Sequence, residues 1–173
     1  SVLQNEEKLN SMQTEITQYL VEISRKDLDS DQSAKIPALI NTINNFERVG
    51  DHCEDITELS RNKINRKIIF SEQGINELET LYQEVMNMMD ECLLAYSKDD
   101  AELALQAAAR EDVVDELTLK FKDEHIRRLE EGTCSVQAGV IYLDAITHLE
   151  RIADHLHNVC HIISEGRHYG DKE

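Results

Sequence analysis

The third apolar segment of the chain steps by three and four residues throughout: Ile75, Leu78, Tyr82, Val85, Met89, Cys92, Tyr96. That spacing keeps every apolar side chain on one face of a 3.6-residue helix, whereas a half-buried strand alternates at every second residue. Four other segments share the rhythm. Leu9, Met12, Ile16, Tyr19 and Ile23 form the first, and Ile36, Leu39, Ile43, Phe46, Val49, Cys53 and Ile56 the second. Leu103, Ala107, Val114, Leu117 and Phe121 form the fourth. The fifth runs Val136, Gly139, Leu143, Ile146, Leu149, Ala153, Leu156, Cys160, Ile163. With one proline in 173 residues there is little to interrupt them. The pattern predicts an all-α antiparallel bundle of five long helices with no strand. Tyr82, Met89 and Tyr96 are read as core.

The breaks between segments carry turn chemistry. Asp29 to Ser33 reads as a polar turn, with Pro37 in the first turn of the next helix. Ser71 is the expected N-cap of the third helix, and Asp99 with Glu102 resembles a capping box for the fourth. Gly132 and Gly166 stand where C′ glycines close the fourth and fifth helices.

Thirty-five acidic residues against 18 Lys and Arg give a formal charge of −17. A phosphate backbone needs basic side chains to neutralise it, so nucleic acid is excluded as a direct partner. Anionic lipid is disfavoured for the same reason and cations are favoured. No apolar run is long enough to cross a bilayer. None of the four cysteines, Cys53, Cys92, Cys134 and Cys160, forms a CxxC pair, and three sit among apolar helical neighbours. They are read as reduced and mostly buried thiols of a reducing compartment.

A motif is written twice. "ERVGDH" begins at Glu47 and "ERIADH" at Glu150, 103 positions later. One segment upstream of each, Glu6 and Glu111 lie 105 apart. The near-constant offset predicts a duplicated helical unit. Residues 67–173 would be a complete three-helix repeat, and residues 1–66 an incomplete one whose first helix would precede Ser1. A missing helix leaves apolar surface to be covered, which predicts self-association.

Residues at i, i+4, i+7 and i+11 share a helix face. From Glu47 these are Asp51, Glu54 and Glu58; from Glu150 they are Asp154, His157 and His161. Both stripes lie on the shoulder of the buried face, in the groove beside a neighbouring helix. Glu111 and Asp115 form a further ExxxD, whereas Glu6 is followed by Asn10. In so acidic a chain roughly seven acid pairs at this spacing arise by chance, and most charges are simply solvated. Stacked acids repel, however, by about 0.2–0.5 kcal/mol per pair, and repeating the cost in register asks for a cation. Carboxylates suit hard or borderline divalent ions, and imidazole shifts the preference toward iron, manganese, zinc or nickel. His52 and His155 follow the motif aspartates and point away from the stripe, which reads as a surface or interface role. Gly50 and Ala153 leave room for a neighbouring helix or an ion.

The doubled motif, each copy late in a helical repeat, resembles the PhoU family of phosphate-uptake regulators. The upstream stretch "EEKLNSMQTEITQYLVEIS" is similar to the PhoU-like domain of bacterial sodium/phosphate cotransporter proteins. The resemblance spans residues 1–173 as a single domain. It implies a six-helix, two-repeat bundle, here without its first helix, whose ExxxD motifs hold multinuclear iron or zinc clusters. It further implies negative regulation of a phosphate transporter, or of an attached transmembrane domain, at the cytoplasmic face of the membrane. Matched by position, the metal ligands would be Glu47, Asp51, Glu150, Asp154, Glu111 and Asp115, with Glu6 a weaker member. Inorganic phosphate would bind through the metal.

Catalysis is not expected. No HExxH, Gly-rich phosphate loop or Ser/His/Asp ordering is present. A di-iron carboxylate enzyme needs two Glu-x-x-His pairs aimed into the core, and the doubled motif supplies only Asp154-x-x-His157. The alternative to a metal-binding regulator is a metal-free helical adaptor.

Overall fold

The computed structural model describes residues 2–166. They form α1 (Val2–Ser24), α2 (Ser30–Asn65), α3 (Glu72–Lys98), α4 (Ala101–Ala108), α5 (Arg110–Glu130) and α6 (Val136–Gly166), with no strand among the described residues. These are the five expected helical rods, the fourth split at Ala109, whose ψ opens to −12°. No proline or glycine marks that split. The next residue, Arg110, is clamped to α3, donating to Glu91 twice at 2.7 Å and to Glu84 at 3.0 Å.

Caps set the boundaries. Ser71 accepts from the Gly74 N–H at 3.1 Å, as expected. Asp29 accepts from the Gln32 N–H at 2.7 Å, and the Gln32 side chain accepts from the Asp29 N–H. This capping box starts α2 seven residues before Pro37. Pro37 therefore lies inside the helix rather than in its first turn, at the cost of the bond to the Ser33 carbonyl. The fourth-helix cap also moves by one residue. Asp99 closes α3 in the left-handed conformation (φ 49°), leaving Asp100 to accept from the Glu102 and Leu103 N–H groups. Gly132 follows α5 with φ 71°, as a C′ glycine should. Gly166 is the last described residue, and its role in closing the helix depends on residues outside the described range.

α6 is the central rod, packed by α2, α3, α4 and α5, while α1 lies along α2. Leu81, Met88, Cys92, Val114, Ile146, Leu156, Val159 and Cys160 are fully buried around it. Each large aliphatic side chain among them contributes about 1.5–3 kcal/mol by leaving water. The face α3 turns to α6 is Leu81, Val85, Met88, Cys92 and Ala95, which keeps Val85 and Cys92 of the expected row but replaces Tyr82, Met89 and Tyr96 by the residue before each. Tyr82 and Tyr96 are therefore exposed rather than core, and Met89 is half-buried. Cys53 is likewise exposed, although Cys92 and Cys160 are buried as free thiols. On α1, Met12, Ile16 and Tyr19 are exposed. Gly50 lets α1 approach α2: a Cβ there would meet Leu9 Cδ1 at 3.2 Å. The space Gly50 provides is thus taken by a helix.

One polar network crosses the core. The Arg128 guanidinium on α5 donates to both carboxylate oxygens of Glu77 on α3, each at 2.7 Å. Tyr142 on α6 donates its hydroxyl to the same carboxylate, and Gln73 adds a bond at 3.0 Å. Burial alone would raise the Glu77 pKa, but the bonds from Arg128 and Tyr142 outweigh it and hold the carboxyl below its ordinary range. The network fixes three helices in one register.

Candidate metal centre

α5 and α6 lie side by side and bring two ExxxD segments together. One carboxylate oxygen from each of Glu111, Asp115 and Asp154 falls within 4.8 Å of the others. Glu150, the remaining expected member, accepts from Lys122 Nζ at 2.9 Å and stands outside this triad. Burial and then Asp115 push the Glu111 carboxyl above its ordinary pKa; burial, then Glu150 and Asp154, do the same to Asp115. Among the described residues, the base paired with Glu111 is His157, whose Nδ1 lies 3.6 Å from Oε2. That Nδ1 is buried and has no hydrogen-bond partner. Three converging carboxylates with an unsatisfied imidazole nitrogen beside them fit a divalent cation of the manganese, iron or zinc kind.

The first repeat is built differently. Glu47 and Asp51 sit together on α2, with Arg48 at 3.7 and 3.3 Å. On α1, the Asn10 amide donates to Glu6. An amide thus takes the place of the fourth acid, as the sequence indicates. Glu54 is pushed up by desolvation and then by Glu6 and Glu58, so the α1–α2 groove is also acidic. Among the described residues, no triad of ligand atoms converges in this groove as tightly as at Glu111, Asp115 and Asp154. Arg48 and Arg151 do reach back to Asp51 and Asp154, both at 3.3 Å. Their side chains are 62% and 60% exposed, so these pairs are screened and neutralise little.

His52 and His155 meet across α2 and α6, their rings stacked at 5.6 Å, which agrees with an interface role. Burial and then His148 lower the pKa of His52; burial and then His52 lower that of His155. Sequence reasoning overlooked Asp55 and His148, which close on His52. The available signal was His52-x-x-Asp55, an i,i+3 pair, with His148 two residues ahead of the second motif.

The family model described as PhoU domain matches residues 1–60 and 78–163. The phosphate-specific transport system accessory protein PhoU homolog 1 of Thermotoga maritima is 26% identical, over 92% of this chain and 68% of that protein. A homolog of that accessory protein in Streptococcus pneumoniae is 24% identical over 71% of this chain, which spans only 56% of its length. The putative inorganic phosphate export protein YjbB of Salmonella typhimurium is 20% identical over 83% of this chain but only 27% of its own length. The crystal structure of PhoU from Pseudomonas aeruginosa superposes with a TM-score of 0.90 at 23% identity, covering 96% of this chain and 79% of that one. That match shows the fold: the helical bundle is the expected one.

Proposed function

The chain belongs to the PhoU domain family, and from that premise we propose that it is a non-catalytic regulatory domain of phosphate transport that binds metal ions through its ExxxD carboxylates. The observation that carries this reading is the Glu111, Asp115 and Asp154 triad with the orphaned His157 Nδ1 beside it. Glu150 would join on release from Lys122, and Glu47 and Asp51 would hold a smaller second site. A bound ion supplies positive charge and open coordination positions, which an oxyanion such as inorganic phosphate can fill. The carboxylates hold the ion on the bundle surface, and the Arg128–Glu77 network keeps α5, and with it the ExxxD of Glu111, in place beside α6.

The partner is a phosphate transporter or an attached transmembrane domain, met at the cytoplasmic face of the membrane. Two similarities support this. Relatives carry the name of a phosphate-specific transport accessory protein, and the Salmonella relative embeds the matched region in a much longer chain named for phosphate export. No described helix is long and apolar enough to cross a membrane, so that role would fall to other polypeptide. The exposed Met12, Ile16 and Tyr19 on α1 favour self-association or contact with such a partner.

A metal-free adaptor draws support from Lys122, which already neutralises Glu150. Calorimetric titration with inorganic phosphate separates the readings. Manganese-loaded protein should bind phosphate more tightly than metal-free protein, and Asp115→Asn with Asp154→Asn should shrink the difference. Equal phosphate affinity with and without metal would sink the metal-mediated reading.

A further inference from the structure

A second group of ligand atoms lies on the seam between α2 and α6, apart from the carboxylate triad. His52 Nδ1 and His148 Nδ1 are 3.2 Å apart. Asp55 Oδ2 lies 3.4 Å from the His148 nitrogen and 3.7 Å from the His52 nitrogen. A single proton between the two rings can join them but leaves both nitrogens too far from Asp55 for a normal hydrogen bond. A tetrahedral ion with bonds of about 2.0–2.1 Å holds its ligand atoms about 3.3–3.4 Å apart, close to the sides of this triangle.

The duplication supplies an internal comparison. At the same 103-residue offset, His52 corresponds to His155, Asp55 to Asn158 and His148 to Asn45. Those three also meet. His155 Nδ1 lies 3.0 Å from Asn45 Oδ1, and the Asn158 amide donates to the same oxygen at 3.4 Å. There, amide donors and acceptors close the group with no cation. At the sister position two imidazoles and a carboxylate replace them, a set with the donor types of a transition-metal site.

We propose that His52, Asp55 and His148 form a mononuclear site for a borderline divalent transition ion of the zinc class. The fourth position opens on a pocket of about 420 Å³ walled by Asp55, His148, Glu58, Arg61, Asn62 and Asn65, where water or a small ligand completes the coordination. Because α2 carries the first motif and α6 the second, the ion ties the two copies together. This site shares no ligand with the carboxylate centre, and its failure leaves that reading intact.

The test uses Co²⁺ as a spectroscopic stand-in for zinc. In chain carrying Glu47→Gln, Asp51→Asn, Glu111→Gln, Asp115→Asn and Asp154→Asn, both proposed carboxylate sites are removed. Co²⁺ should then bind once per chain with the intense visible absorption of a tetrahedral, nitrogen-ligated ion. Adding Asp55→Asn and His148→Asn copies the sister group, which this same fold already accommodates, and should weaken binding by at least about tenfold. Absent absorption, or absorption that survives the added pair, overturns the site. As a check free of substitutions, Zn²⁺ added to the unaltered chain should shift the ¹⁵N resonances of the His52 and His148 rings and leave His155 in place. Shifts at neither ring, or equal shifts at His155, also overturn it.

Discussion

Replacing Asp115 by Asn should stabilise the metal-free protein and destabilise the metal-loaded one. One oxygen each of Glu111, Asp115 and Asp154 lies within 4.8 Å of the other two, and Asp115 takes part in two of those three repulsions. At that separation two like charges repel by about 1 kcal/mol in a water-like dielectric and by about 3.5 kcal/mol at an effective dielectric of 20. The Glu111 and Asp154 side chains remain 21% and 35% exposed, so solvent screening favours the lower figure. The expected gain is about 1–2 kcal/mol at neutral pH and low salt, shrinking as added salt shortens the screening length. With saturating manganese the sign reverses. The parent gains about 2.7 kcal/mol at a hundred times the dissociation constant, and the variant, short of one ligand, gains less. Urea unfolding followed by far-ultraviolet circular dichroism measures both arms. If the metal-free variant is less stable than the parent, the crowding of these acids is not the uncompensated cost that the geometry describes.

Three further outcomes follow from the core. Arg128→Met should cost about 3–5 kcal/mol in urea unfolding, because it strands the buried Glu77 carboxylate that Arg128 grips with two bonds of 2.7 Å. Glu77 is held below the ordinary carboxylate range, so its contribution is present above the unfolded-state pKa and is lost as pH falls through the lower folded one. Midpoints measured from neutral to acid pH should show this loss in the parent and a flatter profile in Glu77→Gln. Gly139→Ala should cost about 1–3 kcal/mol, since its Cβ would stand 2.5 Å from Nε2 of the buried His125. A Gly139→Ala variant as heat-stable as the parent would show that the His125 ring has room to move away from Tyr142.

Periodicity revealed which segments are helical but located their buried faces less sharply. The α3 row of 75, 78, 82, 85, 89, 92 and 96 is unbroken in sequence, yet α6 packs against a face rotated toward Leu81 and Met88. A 3.6-residue helix makes neighbouring rows nearly equivalent, and only the partner helix selects between them. Pro37 shows a similar limit. A proline suits a first turn, but the Asp29–Gln32 box outweighs one missing hydrogen bond and starts α2 earlier.

At the candidate metal centre, each ExxxD was legible as an i,i+4 pair on one helix face. Their meeting across α5 and α6 depends on helix packing that single-helix spacing does not encode. Lys122 shows the same gap: it lies 28 residues from Glu150 and was invisible as its partner. The His52, Asp55 and His148 group was harder still, because it joins residues 96 positions apart. The repeat offset pairs His52 with His155, Asp55 with Asn158 and His148 with Asn45, but their meeting again depends on α2 packing against α6.

Elemental analysis decides whether the ExxxD carboxylates hold metal. Two proteins are compared, both carrying Asp55→Asn and His148→Asn so that any ion counted belongs to the carboxylates. One keeps the motifs; the other adds Glu47→Gln, Asp51→Asn, Glu150→Gln and Asp154→Asn, with circular dichroism confirming that it remains helical. The first should contain iron, zinc, manganese or nickel, and the second should show a large loss. The contradicting result would be a first protein that stays empty after loading with each metal in turn, or a folded second protein that retains as much metal as the first.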